Sequence, residues 1–179
     1  NSARRSGDLP KVVIPVHLAG EPCDMVSIKN LSNEFGFKII EDASHAVGGH
    51  YLNNPIGSCE YSDITIFSFH PVKIVTTGEG GAALTNCAQL DQKLKLLRSH
   101  GITRNKNLMK FPTDDSWYYE QIDLGFNYRM TDIHAALGLS QLSRLREYVE
   151  KRHKIAENYD MGLADIKIQL PFRNSENKS

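Results

Sequence analysis

Lys73 stands between an apolar run, Ile64 to Phe69, and a turn rich in glycine at Gly78, Gly80 and Gly81. A lysine so placed has two readings. As a solvated surface amine it keeps an ordinary pKa of about 10.4. Held in a partly desolvated pocket, it gives up its proton more readily and becomes a nucleophile able to form a Schiff base. Two other side chains bear on the choice. Asp42 closes the run "FKIIED" and Ser68 closes "DITIFS", so both sit at the ends of expected strands.

Ligands of open α/β sheets gather outside the carboxyl ends of parallel strands, which would bring these three residues to one crevice. An amine, a carboxylate and a hydroxyl there match the needs of pyridoxal phosphate: an imine-forming amine, a carboxylate that keeps the ring nitrogen protonated, and phosphate donors. Lys73 supplies the first, Asp42 the second and Ser68 part of the third. Once freed by an incoming amino group, the Lys73 amine can move the α-carbon proton as general base and acid. Each residue also has an ordinary reading. Asp42 could cap a turn, Ser68 could satisfy a strand end, and the glycines could form a plain hairpin turn. A Walker-type phosphate loop is excluded by order, because such loops place lysine after the glycines.

The elements that must hold these residues read as alternating strands and helices. "KVVIPVHLAG", from Lys11, predicts a strand buried on both faces. Asp24 caps a helix whose Met25, Ile28, Leu31 and Phe35 recur at helical spacing, and Gly36 ends it. The strand "FKIIEDA" follows, completing a βαβ unit with a right-handed crossover. Gly48, Gly49, Asn53, Asn54 and Gly57 signal turns and a small hairpin. "DITIFSF" and "GGAALT" give two more strands. A helix from about Ala88 presents Leu90, Leu94 and Leu97 to the sheet, residues 101–127 lose periodicity, and one long helix begins near Thr131 with Ile133, Ala136, Leu137, Leu142, Leu145 and Val149 along its packed side. The fold class is α/β, a mainly parallel sheet flanked by helices.

Composition narrows the classes. The 179 residues hold 21 Lys+Arg against 21 Asp+Glu, so no basic surplus exists for nucleic acid. No apolar run approaches the roughly 20 residues of a membrane helix. Cys23, Cys59 and Cys87 are too widely spaced for a zinc or dithiol motif, and three reduced thiols fit the cytoplasm. The start, "NSARRSGDLP", has neither an initial Met nor a signal-peptide core, which suggests a fragment.

The stretches "EDASHAVGG", "SFHPVKIVTTGEGG" and "LGFNYRMTDIHAALGLSQL" resemble the signature blocks of the DegT/StrS-type nucleotide-sugar aminotransferases, a pyridoxal phosphate family with the aspartate-aminotransferase fold. The similarity extends over nearly the whole chain. "VVIPVHLAGEPCDM", His45, "LRSHGI" and "WYYEQIDLGFNYRM" most resemble the pseudaminic acid branch of that family. The resemblance implies amino transfer from L-glutamate to C4 of a UDP-linked 4-keto-6-deoxy-N-acetyl-hexosamine. It makes Lys73 the imine-forming lysine, Asp42 the partner of the ring nitrogen and Ser68 a phosphate ligand. It sets His45 near the phenolic oxygen of the cofactor. Asn127 matches an asparagine that reaches the cofactor phosphate of the neighbouring subunit, which implies a homodimer with shared sites. His70, Trp117, Tyr118 and Arg129 are further candidates, the two aromatics as stacking partners for a uracil ring or as interface residues.

Relatives that dehydrate sugars carry histidine in place of the lysine, so Lys73 argues against that reaction. Two alternatives remain: another 4-keto or 3-keto nucleotide-sugar aminotransferase of the same family, and a catalytically silent protein that binds a nucleotide or a partner through the glycine loop and the long helix. Family members are about twice this length. The resemblance therefore divides the chain into the central part of a cofactor domain (1–128), a long helix towards a second domain (129–165) and a connector (166–179).

Overall fold

The computed structural model describes residues 2–174 and residue 177. After a short helix α1 (Ser2–Ser6), strand β1 (Val12–Val13) leads through a single 3-10 turn, Leu18–Gly20, into helix α2 (Met25–Phe35). The Asp24 carboxylate accepts the Ser27 N–H at 3.1 Å to start α2. Gly36, with φ 76°, ends it in the left-handed conformation that glycine adopts at little cost. Strand β2 (Lys38–Asp42) then runs parallel to β1, with Val13 opposite Ile39. Met25, Phe37 and Ile39 bury between helix and sheet, joined by the half-buried Ile28 and Phe35. This is the expected βαβ unit.

A small hairpin, β3 (His50–Tyr51) and β4 (Asn54–Pro55), precedes β5 (Ile64–Ser68), which lies parallel to β2 with Asp42 opposite Ile66. Strand β6 (Gly81–Leu84) returns antiparallel to β5, with Gly81 opposite Ser68. The sheet order is β1-β2-β5-β6. Helix α3 (Ala88–Arg98) follows, then the antiparallel pair β7 (Ile102–Thr103) and β8 (Glu120–Gln121), and finally helices α4 (Asp132–Leu142) and α5 (Leu145–Gly162). No helix among the described residues is long and apolar enough to cross a membrane.

Four expectations need correction. The Lys11–Gly20 segment is covered on one side only: Pro15 and His17 are buried, whereas Val12, Ile14, Val16 and Leu18 between them are exposed. α3 buries no residue fully, and Leu90, Leu94 and Leu97 are half-buried. The aperiodic stretch 101–127 contains the β7–β8 pair, whose two-residue strands are too short to show alternation.

The helix from Thr131 is two helices. The Arg144 N–H bonds to the Gln141 carbonyl at 3.0 Å, one residue closer than α-helical pairing, and the ladder restarts in α5. Thr131 does cap α4, its hydroxyl accepting the His134 N–H at 3.3 Å. The packed side, however, is not the apolar one. Ile133 is 82% exposed, while Gly138 is buried and His134, Ala135 and Gln141 are half-buried. The reason lies in what α4 packs against, the glycine loop below. The connector expected over 166–179 is irregular as far as Asn174; residues 175, 176, 178 and 179 lie outside the described residues.

Candidate active site

Asp42 is positioned by the end of β2. Its N–H donates to the Pro15 carbonyl at 2.9 Å, and its carbonyl accepts the His17 N–H at 3.0 Å. Its side chain turns back, with Oδ1 accepting the Ser44 N–H at 3.1 Å. Bonding from Ser44 holds the Asp42 carboxyl below its ordinary pKa against partial desolvation, and His45 and Lys73 are close enough to add to the effect. A carboxylate that stays ionised is what a protonated ring nitrogen requires.

Ser68 ends the neighbouring strand, so it shares the carboxyl edge of the sheet with Asp42. Its Oγ accepts the His70 N–H at 3.4 Å, and among the described residues its hydroxyl hydrogen has no acceptor. It is available to an anion.

Lys73 sits at the tip of a loop whose base is tied to Phe69. The Phe69 N–H bonds to Gly80 at 2.8 Å, and the Phe69 carbonyl accepts both the Thr77 N–H and the Thr76 hydroxyl at 3.0 Å. Val75 and Thr77 are buried beneath. α4 clamps this base: Gln141 Oε1 accepts the Thr76 N–H at 3.1 Å, and a Cβ at Gly138 would stand 2.8 Å from Thr77 Cγ2. Backbone approach this close demands small and polar residues, which explains why α4 leaves its apolar side outward.

The Lys73 N–H bonds to the His70 carbonyl at 3.0 Å, and the half-buried Lys73 side chain lines a cleft of about 330 Å³. Ala19, His45, Arg152 and His153 line it too. The His45 ring accepts the Ala19 N–H at Nδ1, at 3.2 Å.

The structure thus brings Lys73, His45 and Asp42 together, with Ser68 on the adjacent strand end. Asn127 is apart from them. It is exposed, bridged to Ser99 beyond α3, and does not line the cleft. Trp117 is also exposed and meets Tyr118 edge to face at 5.8 Å, and Tyr118 lines a different depression with Lys110 and Phe111. His70 and Arg129 are exposed and outside the cleft lining.

Ala19, Arg152 and His153 are among the cleft residues that escape sequence reasoning. An alanine with φ 56° has no signature in a sequence. The two α5 residues become visible only once Val149, about one turn into α5, is seen to pack on Gly48.

The donor set fits pyridoxal phosphate: a half-buried amine, a carboxylate held ionised within its reach, and an uncommitted hydroxyl on one sheet edge. The model of the DegT/DnrJ/EryC1/StrS aminotransferase family matches residues 3–179. The UDP-4-amino-4,6-dideoxy-N-acetyl-beta-L-altrosamine transaminase of Campylobacter jejuni (strain 81-176) is 41% identical over 157 residues, 88% of this chain and 39% of that protein. GDP-perosamine synthase of Caulobacter vibrioides is 41% identical over 156 residues, 87% of this chain and 38% of that protein. Helicobacter pylori PseC, an aminotransferase involved in the biosynthesis of pseudoaminic acid, superposes with a TM-score of 0.79 at 34% identity, over 88% of this chain and 39% of that structure. The chain spans about two fifths of the length of these relatives.

Proposed function

The chain belongs to the DegT/DnrJ/EryC1/StrS aminotransferase family, and from that premise we propose that, in the complete protein, it carries the catalytic centre of a nucleotide-sugar aminotransferase. The observation that carries this reading is Lys73 lining a cleft at the strand ends, within electrostatic reach of an ionised Asp42.

Pyridoxal phosphate, the family's cofactor, supplies an electron sink for the carbanion left when the α-proton of an amino acid departs. Lys73 holds it covalently between turnovers. Its Nζ, when not bound to the cofactor, would be the base that takes the α-proton of the substrate and the acid that gives a proton back. Asp42 stays charged and fixes the proton on the ring nitrogen. The Ser68 hydroxyl donates to the phosphate, and His45 donates to the phenolic oxygen. Asn127 serves the phosphate of the neighbouring subunit, so the working unit is a homodimer. Its exposed position outside its own cleft suits that role.

We assign L-glutamate as amino donor, leaving as 2-oxoglutarate, and a UDP-linked 4-keto-6-deoxy-N-acetyl-hexosamine as acceptor, in the manner of pseudaminic acid biosynthesis. The cytoplasm, where Cys23, Cys59 and Cys87 stay reduced, is the compartment assigned. A GDP-linked 4-keto sugar is the second reading, favoured by the equal identity to the Caulobacter vibrioides synthase. Both are tested by supplying the complete protein with L-glutamate and either ketosugar and measuring 2-oxoglutarate. Release with the UDP-sugar supports the first reading and release with the GDP-sugar alone supports the second. Release with neither, by a folded protein loaded with cofactor, contradicts both.

A further inference from the structure

Asp42 lies within electrostatic reach of two cleft residues, His45 and Lys73, and its neighbour Glu41, on the opposite side of β2, is buried. There it meets His17, which is fully buried, with Nε2 3.0 Å from Glu41 Oε2. The other ring nitrogen of His17, Nδ1, accepts the Cys23 N–H at 3.3 Å. A backbone N–H can only donate, so Nδ1 is unprotonated and the His17 proton lies on Nε2, donated to Glu41. Glu41 Oε1 accepts the Thr65 hydroxyl at 3.1 Å. Burial pushes the Glu41 carboxyl up, but bonds from His17, Ser62 and Thr65 outweigh it and hold the group below its ordinary value.

The backbone of His17 is fixed as firmly as its ring. Its N–H bonds to Asp42, as above, and its carbonyl accepts the Gly20 N–H at 3.1 Å. Between these anchors lies the turn Leu18–Gly20, in which Ala19 has φ 56°. A residue with a Cβ is strained in that left-handed conformation, so the surroundings must impose it. What the conformation achieves is local: the Ala19 N–H meets His45 Nδ1.

We infer that the buried His17–Glu41 pair is a positioning device for His45, clamping the Leu18–Gly20 turn so that Ala19 N–H occupies His45 Nδ1 and the ring keeps its one proton on Nε2. His45 is then a fixed hydrogen-bond donor to whatever occupies the Lys73 cleft. That this occupant is the cofactor rests on the function proposed above; the tautomer does not. An apolar pair of equal volume would fill the space beneath β2 with comparable stability. Only directional bonds specify the turn.

The test uses the complete protein without cofactor, with 15N-labelled histidine, and reads ring nitrogen signals by NMR. The His45 signal is identified by its loss in His45→Gln. The wild type shows an unprotonated Nδ1 and a protonated Nε2 across pH 7–8. His17→Leu, which keeps apolar volume and drops both ring bonds, moves His45 to a tautomer-averaged position, whereas Glu41→Gln, which keeps an acceptor for His17, retains the wild-type signal. A folded His17→Leu protein with an unchanged His45 signal overturns the inference. So does a wild-type His45 protonated on Nδ1, a result that needs no variant to fold. Because the signal is read without cofactor, this failure is separate from a failure of cofactor attachment at Lys73, which would remove the proposed function and leave the tautomer standing.

Discussion

In the proposed reaction Lys73 and Asp42 form a pair of opposite character, one needing to lose a proton and the other to keep its charge. Lys73→Ala in the complete protein should lower glutamate-dependent amino transfer by at least about 100-fold, the lower end of what a positioned acid–base group contributes. Lys73→Arg should be no better, because a guanidinium stays protonated. Turnover within a few-fold of wild type in either variant would remove Lys73 from the chemistry. A second prediction concerns acid stability. Asp42 and Glu41 both have carboxyl pKa values depressed by folding, so each contributes stability that is complete above its ordinary value, about 4, and is lost as pH falls through the lower folded value. Urea unfolding of the complete protein should therefore weaken below about pH 4, and Glu41→Gln should flatten part of that decline. Identical acid limbs would show that the buried network with His17 contributes nothing to it. The positions of Asp42 and Ser68 at strand ends, and of Lys73 in the loop before the glycines, were legible in the sequence because apolar runs and the turn residues that follow them are marked by residue type alone. Ala19 was not, since its unusual φ goes with the bond to His45 and with the burial of His17 against Glu41, partners 26 and 24 residues away in the chain.

Helix α4 shows where periodicity misleads. Its N-cap, Thr131, was readable, as Asp24 and Gly36 were for α2, because capping is a local hydrogen-bond matter. Its packed face was not. Apolar spacing selects Ile133, Ala136 and Leu137, yet the contact face is formed by Gly138 and Gln141 against Thr76 and Thr77. Contact with a loop backbone favours small and hydrogen-bonding residues over bulk, which an apolar pattern does not report. Gly138→Val tests this packing. Its side chain would meet Thr77 at less than ordinary contact distance, so it should cost about 1–3 kcal/mol as overpacking does, measured by urea unfolding of the complete protein. It should also reduce amino transfer by displacing the base of the Lys73 loop. Unchanged stability and turnover would mean that α4 does not hold that loop.

The whole chain carries its apolar surface unevenly. Val12, Ile14, Val16 and Leu18 line one open side of the first segment, and Ile133, Leu137, Leu139 and Leu142 line another along α4. Surface of this kind drives association unless it is covered. The isolated 179-residue chain should therefore sediment above monomer mass and bind a hydrophobic dye, and the complete protein should do neither beyond the proposed dimer. A monodisperse monomer with cooperative unfolding would contradict this.

The proposed reaction depends on one bond, that between Lys73 and the cofactor, and this can be trapped directly. The complete protein is incubated with pyridoxal phosphate, reduced with borohydride, digested and mapped by mass spectrometry. A phosphopyridoxyl group on the peptide containing Lys73 is the predicted result. A folded, complete protein that carries no such group on Lys73 would show that the aminotransferase architecture is present without its chemistry.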